Sequence, residues 1–127
     1  MHINEISGAI VDAALRIHSE VGPGLLESVY EVLLAFELKE RGFEVERQVP
    51  VPIEYKGIRF EEGYRLDLLV NNLVIVEIKS IEVVLSVHKK QLLTYLRLKR
   101  KPLGLLLNFN VDLMKHGITR IVNQLED

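Results

Sequence analysis

Three charged residues interrupt a stretch that otherwise reads as two short apolar strands, Tyr64 to Ser80, YRLDLLVNNLVIVEIKS. They are Asp67, Glu77 and Lys79. Burying valine, leucine and isoleucine calls for no carboxylate. An ionised acid inside such a hairpin costs several kcal/mol unless it is paired or binds a cation. Two carboxylates close together repel, and a divalent cation is the usual remedy; oxygen-only ligands favour Mg2+ or Mn2+ over zinc or copper. A lysine beside them can orient or activate a water, or stabilise charge developing on a phosphate. The alternative is a buried Asp–Lys or Glu–Lys ion pair without metal. An aspartate followed by Glu-x-Lys on the next strand favours the site.

The chemistry depends on the loop. Alternate strand residues share a face, so Glu77 and Lys79 lie with Leu73 and Ile75, and Asp67 lies with Arg65 and Leu69. A two-residue Asn71-Asn72 turn would pair Asp67 with Val76 and throw the two acids onto opposite faces. A three-residue loop or a bulge restores them to one face, and asparagine tolerates the left-handed conformation such a loop needs. The expectation is therefore an odd-length or bulged connection.

Several elements must hold this hairpin. Asn4 to Glu20 carries Ile6, Ile10, Ala13, Ala14, Ile17 and Val21 at helical spacing, with Asn4 as N-cap, and Gly22-Pro23-Gly24 breaks it. A second helix is expected from about Leu25 to Arg41, its stripe Leu26, Val29, Leu33 and Phe36, stopped by Gly42. From Phe43 the period is β-type: Val45, Val49, Val51, Ile53 and Tyr55 form an edge strand around Pro50 and Pro52. Lys56-Gly57 is a turn and Ile58 to Phe60 a short return strand. After the acidic hairpin come a helix from about Ser86 to Lys99, a buried strand Leu103 to Phe109, a turn or short helix Val111 to His116, and a last edge strand Gly117 to Asn123. The order α-α-β-β-β-β-α-β-(α)-β predicts an α/β domain with a mixed sheet covered by helices on both faces.

Composition narrows the classes. At 48% hydrophobic and 27% charged residues the chain is neither disordered nor fibrous. No linker or repeat appears, so residues 1–127 are expected to form a single domain. No apolar run reaches transmembrane length, the N-terminus lacks a signal pattern, and there is no cysteine; a cytoplasmic home without membrane contact is expected. The net charge of −2 is not that of a basic nucleic-acid binder. Yet from Val83 to Val111 there is no acid, while Lys89, Lys90, Arg97, Lys99, Arg100 and Lys101 form a local positive field. The four histidines have no metal-binding spacing, and no phosphate loop or Ser-His-Asp arrangement occurs.

Asp67…Glu77-Ile78-Lys79 resembles the PD-(D/E)xK nuclease signature. Gly24-Leu25-Leu26-Glu27-Ser28-Val29-Tyr30 resembles the motif of the GxxExxY family within that superfamily. Tyr55-Lys56-Gly57, Tyr64-Arg65-Leu66-Asp67, Gln91-Leu92-Leu93-Thr94-Tyr95-Leu96, Asn108-Phe109 and Gly117 to Val122 are similar to that family too, so the likeness runs from about His18 to Asn123. It implies a restriction-endonuclease-like core, α-β-β-β-α-β, with an extra N-terminal helix. It further implies metal ligation by Asp67, Glu77, the Ile78 carbonyl and Glu27, a catalytic Lys79, and Gln91 with Tyr95 as the QxxxY helix motif, Gln91 on the catalytic side. The proline of the signature is absent, since Leu66 precedes Asp67.

Tyr30, Arg65, His88, Lys89, Lys90 and Tyr95 are the candidates to contact nucleic acid. On spacing alone Tyr30 reads as a packed tyrosine with a bonded hydroxyl, and Arg65 as a salt-bridge partner or phosphate contact. His88, Gln91 and Tyr95 read as one polar stripe. The function expected is Mg2+- or Mn2+-dependent hydrolysis of phosphodiester bonds, DNA favoured over RNA, with a homodimer or a partner protein completing a cleft. The rival is a non-catalytic nucleic-acid-binding or protein-assembly module on the same fold.

Overall fold

The computed structural model describes residues 2–124. The elements run α1 (Ile3–Val21), α2 (Glu27–Glu40), β1 (Val45–Tyr55), β2 (Ile58–Val70), β3 (Val74–Lys79), α3 (Ser86–Lys99), β4 (Leu103–Asn108), a 3₁₀ turn (Met114–Gly117) and β5 (Ile118–Val122). One five-stranded sheet has the order β1-β2-β3-β4-β5. Only β3 and β4 are parallel, joined through α3, and the other neighbours are antiparallel. The expected mixed sheet is present with one strand fewer, because Ile58 to Phe60 and Tyr64 to Val70 belong to one long β2.

Helices cover both faces. Leu68, Val70, Val74, Val76 and Ile78 pack with α1 and α2. Leu66, Leu69, Ile75 and Leu106 pack with Leu92, Tyr95 and Leu96 of α3. β3 and β4 are buried almost throughout, which is why both read as continuous apolar runs. The helix can approach β4 because residue 104 is glycine: a Cβ there would stand 2.9 Å from Leu92 Cδ1.

Two helix assignments need correction. The N-cap of α1 is His2, whose ring accepts the Asn4 N–H, and Val21 is 42% exposed. In α2 the buried residues are Tyr30, Glu31, Leu34, Ala35 and Leu38, while Leu26, Val29 and Phe36 face outward. This helix is apolar on two stripes, and period alone does not say which one meets the sheet.

β1 and β2 change faces along their length. Leu66 and Leu68 are two residues apart yet lie in different cores. The switch falls at Gln48, a non-glycine with φ of 53°, in β1 opposite Asp67, flanked by the pairs Arg47↔Leu68 and Val49↔Leu66. Farther out the register shifts between Val51 and Ile53, and Gly63 makes that bulge possible: any Cβ there would overlap the Val51 carbonyl oxygen.

Candidate metal and nuclease site

The loop has the required parity. Asn71 and Asn72 both have positive φ, 50° and 56°, and Leu73 N donates to Val70 O at 3.0 Å, closing a tight turn. The strand pairing nevertheless starts at Val70↔Val74, so Leu73 is an extra residue and the loop is three long. The register continues Leu69↔Ile75 and Leu68↔Val76, which sets Asp67 opposite Glu77 on one face. There the ladder opens, because Ile78 N donates to the Asp67 carboxylate at 2.7 Å.

Glu77 is 3% exposed, and neither of its side-chain oxygens has a hydrogen-bond partner. Burial first, then the charge of the neighbouring Asp67 carboxylate, push its pKa up to about 9, while Lys79 pulls the other way. An orphaned carboxylate facing a second one is a site short of positive charge. Tyr64 and Tyr95 wall it: their rings stack at 4.4 Å and 11°. Tyr95 is pushed up to about 12 by burial and Glu77. Tyr64 goes higher, through burial and then the charges of Glu77, Asp67, Tyr95 and Glu27. Both hydroxyls stay protonated and able to donate.

Glu27 reaches this end of β3 from α2. Its Oε2 accepts Ser80 N at 2.9 Å, and Ser80 Oγ donates to Leu25 O at 2.7 Å. Tyr30 fixes the preceding turn: its hydroxyl donates to Gly22 O at 2.6 Å and accepts Leu25 N at 3.1 Å, and its ring stacks on Phe109. Glu27 and Tyr30, with the Gly22–Leu25 turn between the helices, thus form a clasp that ties α2 to the end of β3. Among the described residues no group of three His, Cys, Asp or Glu side chains could hold a metal ion. Asp67 and Glu77 make two, and Glu27 is bonded to a backbone amide.

Of the expected nucleic-acid contacts, Tyr30 is fully buried and offers no surface. Arg65 donates to Gln48 O at 3.3 Å, and the ion pairs among the described residues involve Arg41, Arg47 and Arg59 instead. His88 caps α3, its Nδ1 accepting Leu85 N at 2.9 Å. The polar stripe divides: Tyr95 turns inward with Leu92 and Leu96, whereas Gln91 is exposed. Lys89 and Lys90 are exposed on the first half of α3. Lys101 lies at the other end of the sheet, donating to Asn72 Oδ1 at 3.0 Å, so the basic run does not form one strip beside the carboxylates.

Sequence reasoning passed over two groups. Tyr64 was legible only as part of a motif, and its partner Tyr95 is too distant in sequence for spacing to reveal the stack. Glu31 is buried on α2 and accepts from Arg47 Nε at 2.9 Å and Gln48 Nε2 at 2.6 Å, which ties the helix to the kink opposite Asp67. An acid on a helix gives no sign of burial.

A family model described as the PD-(D/E)XK nuclease superfamily matches residues 4–121. No curated protein and no solved structure matches the chain significantly. No helix among the described residues is long and apolar enough to cross a membrane.

Proposed function

This chain belongs to the PD-(D/E)XK nuclease superfamily, and from that premise we propose that it is a Mg2+- or Mn2+-dependent nuclease hydrolysing phosphodiester bonds, DNA favoured over RNA. The observation that carries the reading is Glu77, a buried carboxylate with no donor on either oxygen, set against Asp67 by the loop. Nothing in packing calls for that arrangement, and a hard divalent cation answers it. Asp67 and Glu77 would hold the ion together with the Ile78 carbonyl, and Glu27 stands at the edge of the same site. When bound, the ion supplies positive charge to the phosphate and lowers the pKa of an attacking water.

The chain's own groups have separable tasks. Lys79, half-buried on the carboxylate face, would hold and orient the water or bond a non-bridging phosphate oxygen. Tyr64 and Tyr95, stacked on one another and under the charge of Glu77, would present protonated hydroxyls to the site. Gln91 and the exposed Lys89 and Lys90, on the first half of α3, would take the adjoining backbone phosphates. The structural bonds made by Glu27 and Tyr30 support assignment to the GxxExxY family within the superfamily. The rival reading, a non-catalytic module on the same fold, draws support from the commitment of Glu27, Arg65 and His88 to structural bonds.

The test is cleavage of labelled single- and double-stranded DNA and RNA with Mn2+ or Mg2+, wild type against Lys79→Ala. The nuclease reading expects cleavage by wild type and a loss of at least about a hundredfold in the variant. Binding without cleavage of any of the four substrates would move the protein to the module reading.

A further inference from the structure

Glu31 is a buried acid outside the carboxylate pair. It lies one turn beyond Glu27, on the same face of α2, and is 5% exposed. Three donors from β1 converge on it. Arg47 gives Nε and Nη2 to Oε2, both at 2.9 Å, and Gln48 gives Nε2 to Oε1 at 2.6 Å. A buried ion pair adds little net stability over an apolar contact of the same volume, so its place on this helix asks for another reason.

The reason lies in what it holds. Gln48 has φ of 53°, a conformation that a glutamine inside a strand keeps only where its surroundings impose it. Its carbonyl is bonded too, accepting Arg65 Nη1 at 3.3 Å. The residue falls between the pairs Arg47↔Leu68 and Val49↔Leu66, across from Asp67. At that point β2 turns over: Leu66 packs with α3, and Leu68, two residues on, packs with α1 and α2. In a regular strand both would share a face. Pairing of β2 with β3 also stops there, at Leu68↔Val76, and the Ile78 N–H goes to the Asp67 carboxylate at 2.7 Å. A strand that rolls at Asp67 turns that carboxylate towards β3, where it meets the Ile78 N–H beside Glu77.

We infer that Glu31 is a positioning residue, an assignment that rests on the metal-site reading above: through Gln48 it imposes the kink in β1 that aims the Asp67 carboxylate at β3, and so presets the metal pair. Helix α2 then holds the site from two sides. Glu27 fastens Ser80, just past Lys79, and Glu31 fastens β1 across from Asp67. Groups that orient a ligating carboxylate in this way govern metal affinity by about ten- to a hundredfold.

The experiment reads two quantities in wild type, Glu31→Ala, Gln48→Ala, Glu31→Gln and Arg41→Ala. One is the proton chemical shift of the Ile78 amide in metal-free protein, which reports its bond to Asp67. The other is Mn2+ affinity by calorimetry. Gln48→Ala removes the same bond as Glu31→Ala from an exposed residue, without opening the helix. Glu31→Gln keeps an oxygen for Gln48 and so keeps the kink. Arg41 bonds Asp12 and Glu37 on the helices, so its loss loosens α2 without touching β1. In Glu31→Ala and Gln48→Ala the Ile78 proton should move upfield, and Mn2+ should bind at least about tenfold more weakly. Glu31→Gln and Arg41→Ala should stay close to wild type in both. An unmoved Ile78 resonance in Glu31→Ala and Gln48→Ala overturns the inference. So does a change of the same size in Arg41→Ala, which would make the effect one of general loosening. A wild type that binds no Mn2+ sinks the metal-site reading, while the Ile78 resonance still decides whether Glu31 sets Asp67.

Discussion

Replacing Glu77 by glutamine should make the metal-free protein more stable, not less, and the gain should grow with pH. The carboxyl is 3% exposed with no donor, and its pKa stands at about 9 against an ordinary value of 4.5. A raised carboxyl pKa means the native state keeps a proton that the unfolded state has released. Below pH 4.5 both states are protonated and nothing is lost. As pH rises from 4.5 towards 9 stability falls, and above 9 it is level. At about 1.4 kcal/mol per unit the ceiling at pH 8 is about 5 kcal/mol, and reorganisation around the charge brings the expected loss to about 2–5 kcal/mol. Glutamine fills the same volume, never ionises, and can donate an N–H to Asp67. Thermal melts in chelator from pH 5 to 9 should show the wild-type midpoint falling and the Glu77→Gln midpoint nearly level. The gap at pH 8 should be about 6 °C or more. Equal midpoints at pH 8, or parallel slopes, would refute the claim that this carboxylate is buried against its own electrostatics.

Four further outcomes follow from particular contacts. Tyr30→Phe should cost about 1–3 kcal/mol in urea unfolding, since it leaves Leu25 N–H without its acceptor and Gly22 O without its donor; unchanged stability would count against the clasp. Glu31→Ala should cost about 1–2 kcal/mol by the same assay, because Arg47 is 42% exposed and is rehydrated when its partner goes. Gly63→Ala should lower stability by about 3 kcal/mol, as its Cβ would overlap the Val51 carbonyl, whereas Gly8→Ala, with open space around it, should not. Tyr64→Ala should lower cleavage more than Tyr64→Phe, a ratio measured in the labelled-substrate assay, because alanine removes the stack on Tyr95 as well as the hydroxyl.

The sequence carried some of this structure plainly and hid the rest for physical reasons. The loop parity was legible because a strand has period two: the side-chain types on either side of Asn71-Asn72 make chemical sense with only one of two registers, and the three-residue loop supplies it. The buried strands β3 and β4 announced themselves as unbroken apolar runs. α2 misled because it presents two apolar stripes and only the tertiary contact chooses between Leu34 and Leu33. The kink at Gln48 has no local signal, since glutamine seldom takes positive φ and is held there by Glu31 from another element. Arg65 likewise bonds a backbone carbonyl on the neighbouring strand, and His88 accepts the Leu85 N–H at the start of its own helix.

The most direct test of the central claim is a calorimetric titration of Mn2+ into the protein at pH 8, run in two buffers of different ionisation enthalpy. Wild type should bind one cation per chain at the Asp67–Glu77 pair and release close to one proton, because Glu77 is largely protonated when empty. Asp67→Asn and Glu77→Gln should lose the binding, while Asn71→Asp on the far loop should keep it. Heats in Glu77→Gln indistinguishable from those of wild type would contradict the assignment of this buried pair as a metal site.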